Sequence, residues 1–299
     1  MPKIHANGVE LYYEETGDTG APVILLIMGL GTQLIAWPDA MIAGLTAAGY
    51  RVIRYDNRDI GLSTYLDGAP AVHPLWAVLA KRIGLPYPVA YSLTDMASDA
   101  VALMDQLNIS AAHVVGASMG GMIAQNVAAM APDRILSLTS IMSSSGAPGL
   151  PGPTPELRKR LMARRSSRAT RAEVMAAVAE TLELISYPDT ERGPDTFRLM
   201  AERAFDRGYN PAGVRRHLLA IIADGSRADR LAKITTPTLV IHGAADPLVP
   251  LACSQDIVRR VRNARMEVID GMAHDLPPSQ VSRVVDLIAG HAGAADQPR

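Results

Sequence analysis

One stretch decides the fold of this chain: His113-Val114-Val115-Gly116-Ala117-Ser118-Met119-Gly120-Gly121-Met122. An apolar strand runs into the pattern Gly-x-Ser-x-Gly, which is typical of a sharp strand-to-helix turn with a serine at its tip. Such a turn strains the backbone of its middle residue, and the residues two positions away must be small because strand and helix nearly touch. The helix N-terminus also leaves unpaired N–H groups beside the serine oxygen. The stretch therefore predicts that Ser118 is reactive, rather than a serine that only caps a helix.

Predicted strands and helices alternate on either side of this stretch, which favours a mostly parallel sheet with helices on both faces. Further strands are predicted at 3–6, 9–14, 23–27, 51–56, 135–142, 238–241 and 266–269, and helices at 40–48, 94–107, 122–130, 254–262 and 279–289. The segment from Tyr65 to Tyr91 contains four prolines and is predicted as a loop. The tail after Gly290 is predicted to be frayed.

The alternation breaks at a connection rich in glycine and proline, residues 146–153. From Pro155 to Asp224 the pattern is helical throughout, and its basic run from Arg158 to Arg171 is interpreted as a solvated helix face. The alternation resumes at Leu231. The sequence therefore predicts a core formed by residues 1–144 and 229–299, with a helical cap at 145–228.

Composition excludes several classes of protein. A chain of 299 residues with 48% hydrophobic content can bury a large core, and a net charge of −1 argues against a nucleic-acid partner. The single Cys253 excludes an internal disulfide and a multi-cysteine zinc site. No apolar run is long enough to cross a bilayer, and the first residues lack a signal-peptide core. We expect a cytoplasmic protein with no membrane partner, and nothing indicates or excludes a homo-oligomer.

A serine hydroxyl is a weak nucleophile at neutral pH and needs a base. Seven histidines are candidates, at positions 5, 73, 113, 217, 242, 274 and 291. His274 follows the last strand and therefore lies at the same sheet edge as Ser118, whereas His113 is inside a strand and His217 falls in the helical insertion. His242 ends a strand at the correct edge and is a candidate supporting residue. We predict that His274 is the base.

The base needs an acid to orient it. Asp246 follows a buried strand at the same edge, and Pro247 rigidifies its loop, although an Asp-Pro pair is also typical of a simple turn. Asp256 is predicted on a helix, Asp270 comes too early in its loop, and Asp275 adjoins the base and should point away from it. Asp246 is therefore the predicted acid, which gives the chain order serine, aspartate, histidine.

Attack on an ester creates an oxyanion, which needs N–H donors. We expect one from the backbone of Met119, next to the nucleophile, and one from Leu30, between two glycines that let the loop turn inward. The sequence shows no metal-binding pair of the type His-Glu-x-x-His and no glycine-rich phosphate loop, so no metal or cofactor is expected.

These motifs resemble the α/β-hydrolase superfamily, in its esterase and cofactor-free haloperoxidase branch. The matching pieces cover most of the core and lie at residues 23–31, 54–63, 113–121, 237–241 with 246–247, and 271–274. The resemblance implies an α/β-hydrolase fold with a helical cap, and places the serine, acid and histidine roles on Ser118, Asp246 and His274. A serine at 118 disfavours the dehalogenases and epoxide hydrolases of this fold, which use an aspartate.

At one position the sequence departs from most of the superfamily, and this difference points to one group within it. Most relatives have His-Gly where this chain has Met28-Gly29. This variant is similar to the aclacinomycin methylesterase family, which cleaves a methyl ester on an anthracycline, and it implies oxyanion donors at Leu30 and Met119. The cap is the least similar part, so the anthracycline itself is not carried over.

The expected function is hydrolysis of a small to medium apolar ester, a methyl ester among the candidates, through an acyl-enzyme. Methionine is soft and adaptable, and the predicted pocket residues are Met28, Gly29, Met122 and Met142. Two alternatives stay open on the same fold: a perhydrolase or haloperoxidase using the same triad, and a small-ligand receptor with little turnover.

Overall fold

A computed structural model describes residues 2–162 and 170–296, so part of the basic run 158–171 lies outside the described residues. Its centre is an eight-stranded sheet with the order β1-β2-β4-β3-β5-β6-β7-β8. The strands are β1 (Lys3–Ala6), β2 (Val9–Thr16), β3 (Val23–Ile27), β4 (Arg51–Tyr55), β5 (Ala112–Ala117), β6 (Ile135–Ile141), β7 (Thr238–Gly243) and β8 (Arg265–Ile269). Only the β1–β2 and β2–β4 pairs are antiparallel, which confirms the predicted mostly parallel sheet.

Helices cover both faces of the sheet and fill the long connection between β6 and β7. They are α1 (Asp39–Ala47), α2 (Pro74–Arg82), α3 (Leu93–Gln106), α4 (Met119–Met130), α5 (Pro155–Met162), α6 (Arg171–Ile185), α7 (Thr196–Arg207), α8 (Pro211–Asp224), α9 (Ala228–Leu231), α10 (Leu251–Arg260) and α11 (Val281–Asp296). Helices α5 to α9 all lie between β6 and β7. Helices α5 to α8 fall within residues 145–228, for which the sequence predicts a cap, and this segment is called the cap below. No helix in the described ranges combines the length and apolar character that crossing a bilayer requires.

The uninterrupted apolar sequence of β3 follows from burial of both sheet faces. Leu25 and Ile27 belong to one core cluster, together with side chains from α3 and α4. Ile24 and Leu26 belong to a second cluster, together with side chains from α1 and α11. Since successive strand residues point to opposite faces, a strand covered on both sides has no position for a polar side chain.

The predicted loop between Tyr65 and Tyr91 is wrong, because this segment contains α2. Pro74 occupies the first turn of the helix, where a missing N–H has no cost. The His73 ring Nδ1 accepts a hydrogen bond from the Leu75 N–H at 3.3 Å and caps the same end. One of the prolines that indicated a loop therefore begins a helix.

The predicted frayed tail after Gly290 is also wrong, because α11 continues to Asp296. Ile288 and Ala292 are buried in the core cluster on that face of the sheet. The Asp296 carboxylate also lies 3.1 Å from Nε2 of His113 on β5. Packing and this contact hold the last turns in place.

Candidate active site

Ser118 lies at a strained turn between β5 and α4, as the sequence predicts. Its backbone angles are φ 57° and ψ −119°, a conformation that non-glycine residues rarely adopt. A Cβ at Gly116 would collide with the carbonyl oxygen of Gly120, and a Cβ at Gly120 would collide with the carbonyl oxygen of Ile27. The two glycines are therefore required by close backbone approach.

The structure brings the three predicted triad side chains together. His274 Nε2 lies 3.0 Å from Ser118 Oγ, although the two residues are 156 positions apart in the chain. His274 Nδ1 lies 2.7 Å from Asp246 Oδ2. Each side chain stands in the loop that follows a parallel strand, so the carboxyl edge of the sheet gathers them.

The environment of Asp246 fixes the histidine tautomer. The side chain of Asp246 is fully buried, and its Oδ1 accepts hydrogen bonds from the N–H groups of Leu248 and Val249 at 2.9 and 2.8 Å. Its Oδ2 is thereby left for His274, so we assign the donated proton to Nδ1. His274 Nε2 is then free to accept the Ser118 hydroxyl proton.

His242 lies beside the triad without belonging to it. Its Nε2 is 3.7 Å from Asp246 Oδ2, but the same nitrogen is 2.9 Å from the Val249 carbonyl oxygen, and Nδ1 is 2.7 Å from Ser254 Oγ. Burial lowers the pKa of His242 below its ordinary value. A neutral imidazole with both nitrogens occupied supports the Asp246 loop and does not compete as a base.

Of the two predicted oxyanion donors, Met119 follows Ser118 directly and Leu30 is in the loop after β3. Met119 is the first residue of α4, and the loop after β3 packs so closely that a Cβ on Gly29 would lie 3.1 Å from Ser118 Cβ. Asn57 Nδ2 donates to the Met28 carbonyl at 2.9 Å and fixes that loop. Within the described part of the chain, the N–H groups of Leu30 and Met119 have no hydrogen-bond acceptor, so both remain available to an oxyanion.

The four predicted pocket residues separate in the structure. Met122 begins the next turn after Ser118 and lines a cavity of about 450 Å³ between α2, α8 and α4. Gly29 contacts Ser118 instead. Met28 and Met142 are buried in the core cluster shared with α1 and α11, and neither lines this cavity. The sequence does not distinguish these positions, because a methionine that fills a core and one that lines a pocket look alike.

His217 of α8 is a supporting residue that position in the chain does not reveal. Its Nδ1 accepts the N–H of Gly31 at 3.3 Å, and its Nε2 lies 2.8 Å from the carbonyl oxygen of Arg58. This pattern requires a neutral ring that donates from Nε2. Burial lowers the pKa of His217 to about 4. The cap thus supports the loop that carries Leu30.

The acid stability of the protein should depend on His217. An unfolded imidazole with a pKa near 6.5 takes up a proton as pH falls from about 6.5 to about 4, whereas the folded one does not. The unfolding free energy therefore falls with pH in this window, by up to about 3 kcal/mol from this group. Urea unfolding of His217→Gln should show a flatter pH dependence than wild type. The exposed His5→Gln is the control, and equal slopes in all three proteins would contradict the assignment.

Two buried ion pairs join the cap to the loop after β4. Arg216 of α8 donates to both oxygens of Asp59 at 2.7 and 2.8 Å, and Arg207 of α7 contacts Asp56 at 2.6 Å. Burial alone would raise the pKa of Asp59, but its hydrogen bonds from Arg216 and Leu66 hold that pKa below the ordinary value. The cap is therefore held to the core by charge as well as by packing. The cluster of polar residues directly after β4 is the sequence signal for this contact.

Arg216→Ala should lower the unfolding free energy by about 3–5 kcal/mol, because it leaves a buried Asp59 carboxylate without its partner. Arg198→Ala is the matched control, since Arg198 is 52% exposed and pairs with Asp195 and Glu202 on the surface. Its expected cost is about 1 kcal/mol or less. Urea titration measures both, and equal losses would show that the buried pair does not anchor the cap.

The His274 loop also contacts the cap. The His274 N–H donates to the carbonyl oxygen of Ile185, the last residue of α6, at 2.9 Å. Asp275 points away from the triad, as predicted, and contacts Arg192 at 2.6 Å and the Tyr187 N–H at 3.1 Å. Among residues 2–162 and 170–296, no group of three or more histidine, cysteine or acidic side chains is arranged to hold a metal ion.

Comparison with known proteins shows that the chain is similar to hydrolases over nearly its whole length. A family model described as alpha/beta hydrolase fold matches residues 22–278. The chain is 31% identical to rhodomycin D methylesterase DauP of Streptomyces sp. (strain C5), over 96% of each chain. It is 29% identical to the putative carbamate hydrolase RutD of Azorhizobium caulinodans, over 99% of this chain and 100% of that one. The enol-lactonase from Burkholderia xenovorans LB400 shares the fold, with a TM-score of 0.74, 24% identity, and coverage of 98% of this chain and 100% of that one.

Proposed function

The chain belongs to the α/β-hydrolase family, and we propose that it is a carboxylic-ester hydrolase with Ser118 as nucleophile. The observation that carries this proposal is the chain of hydrogen bonds from Ser118 Oγ to His274 Nε2 at 3.0 Å and from His274 Nδ1 to Asp246 at 2.7 Å. The first distance allows His274 to take the Ser118 proton, and the second holds the imidazole in place. The likeness to the methylesterase DauP over 96% of the chain supports an ester as the substrate.

In the proposed mechanism, His274 Nε2 takes the Ser118 proton as Oγ attacks the ester carbonyl carbon. The resulting oxyanion binds the N–H groups of Leu30 and Met119, and the positive end of α4 adds to its stabilisation. His274 then protonates the leaving alcohol, which departs and leaves an acyl group on Ser118. Water attacks this acyl-enzyme with His274 again as base, and the carboxylic acid is released. Asp246 holds the imidazole and stabilises its charged form.

The proposed substrate class is a small to medium apolar ester, with a methyl ester as the first candidate. The cavity beside Met122 measures about 450 Å³, within the usual range for small-molecule sites. Val78, Ile221 and Ile222 give it an apolar lining, and Ser144 also lines it. A methyl leaving group needs little space beside the oxyanion loop, so the cavity is available to the acyl part.

A fluorophosphonate probe tests the nucleophile directly. We expect mass spectrometry of the labelled, folded protein to place one phosphonate on Ser118 and none on the Ser118→Ala variant. A rapid initial release of nitrophenol from 4-nitrophenyl butyrate would show the acyl-enzyme. Modification of a different serine, or equal modification of the variant, would refute the proposal.

A further inference from the structure

Helix α2 buries its small side chains and exposes its large apolar ones, which is the opposite of what a surface helix usually does. Its buried residues are Ala77 and Ala80, whereas Leu75, Trp76 and Leu79 are 56%, 47% and 49% exposed. A helix on the surface of a globular protein normally turns its large apolar residues inward. The large side chains of α2 therefore add little to the core.

This exposed apolar surface continues beyond the end of the helix. Six of the thirteen exposed large hydrophobic residues in the described part of the chain lie within residues 75–85. We call this group the α2 face; its members are Leu75, Trp76, Val78, Leu79, Ile83 and Leu85. Contiguous apolar surface of this kind marks an interaction site, whereas single exposed residues do not.

The charged residues of the segment that carries the α2 face are all basic. Residues 68–90 contain Lys81 and Arg82 and no aspartate or glutamate. Asp224 of α8 also lies near Lys81, but its carboxylate is paired with Arg227 and Arg230. Lys81 Nζ donates to the carbonyl oxygens of Ile222 and Ala223, so it also ties α2 to the end of α8. An apolar face with a tryptophan and flanking basic residues is typical of a helix that lies in the surface of a membrane.

We propose that the α2 face docks on an anionic lipid surface. A second copy of this chain is disfavoured as the occupant, because a two-fold contact of this segment with itself offers Lys81 and Arg82 no acidic partner within residues 68–90. Anionic head groups supply the opposite charge, which is worth about fivefold in binding per nearby basic residue (about 1 kcal/mol). The expectation of no membrane partner rests on the lack of a spanning segment, and docking through one helix does not need a span.

Docking would also orient the cavity toward the lipid. Val78, Lys81 and Arg82 of α2 line this cavity, as does Met122 of α4. This part of the inference rests on the proposed function, and it names esters dissolved in lipid as the substrate class. The docking itself does not depend on catalysis, so it is tested separately.

The full chain reports its own docking through fluorescence. It has two tryptophans, Trp37, which is fully buried, and the exposed Trp76. With vesicles of equal parts phosphatidylcholine and phosphatidylglycerol, we expect a blue shift of tryptophan emission and sedimentation of the protein with the vesicles. Both effects should weaken in pure phosphatidylcholine and at high salt. The Ser118→Ala protein should bind the vesicles as wild type does, whatever its activity.

The double variant Leu75→Ser, Leu79→Ser should lower the vesicle partition coefficient at least about tenfold, since two apolar side chains no longer enter the interface. Leu199→Ser, Met200→Ser on α7 is the matched control, because those residues are 53% and 39% exposed but lie outside the α2 face. Hydrolysis of dissolved 4-nitrophenyl butyrate and circular dichroism should be unchanged in both variants. Absence of vesicle binding by wild type, or equal loss in both variants, would overturn the proposal. A dimer in solution that Leu75→Ser, Leu79→Ser dissociates would also overturn it, since a second copy would then cover the face.

Discussion

Ser118→Ala should lower kcat for 4-nitrophenyl butyrate by about 10⁴–10⁶-fold, with KM little changed. The substitution removes the attacking oxygen and leaves the oxyanion donors of Leu30 and Met119 in place. Some rate above the uncatalysed reaction should therefore remain. Steady-state kinetics with highly purified protein measures the loss, because trace wild-type enzyme would dominate the residual rate.

Ser143→Ala is the control for this variant. Ser143 is buried near the same turn, and its hydroxyl donates to the Ser118 carbonyl oxygen at 2.8 Å, but its own oxygen has no role in the proposed attack. We expect a much smaller effect on kcat than that of Ser118→Ala. If Ser118→Ala kept a tenth of the wild-type rate, or if Ser143→Ala matched its loss, the proposed mechanism would be wrong.

Asp246→Asn should lower kcat by about 10⁴-fold, although the change replaces one oxygen with nitrogen. The N–H groups of Leu248 and Val249 hold an acceptor at the Oδ1 position, so the new amide oxygen remains there. The amide nitrogen then occupies the Oδ2 position and donates to His274 Nδ1. This reverses the tautomer, and a protonated Nε2 cannot accept the Ser118 proton.

Asp275→Asn provides the comparison for this effect. Asp275 is adjacent to the base in the chain, but its carboxylate contacts Arg192 and the Tyr187 N–H. Its replacement should weaken the contact between the cap and the His274 loop and reduce kcat far less than Asp246→Asn does. Equal losses in the two variants, measured with the same ester, would remove the special role of Asp246. Nitrogen chemical shifts of His274 would report the tautomer in each protein.

The regions where the sequence predictions fail have a common physical origin. The prolines between Tyr65 and Tyr91 predict a loop, but a proline in the first turn of a helix has no hydrogen bond to lose. The glycine and alanine tail after Gly290 predicts fraying, but α11 is held by its packing on the sheet. In both cases the local preference is weak, and contacts with distant parts of the chain decide the outcome.

The sequence by itself determined the elbow at Ser118, the buried strands, and the order in which Ser118, Asp246 and His274 follow their strands. These features depend on local sterics and on the period of apolar residues, and both are readable along the chain. Only the tertiary structure decided that His217 and Arg216 of the cap support the oxyanion loop and the loop after β4, and that α2 turns its large side chains outward. The role of a buried polar side chain depends on the group that it contacts, and the exposed side of a helix depends on what packs against the other side. Both depend on residues far apart in the chain, so the spacing of neighbouring residues does not reveal them.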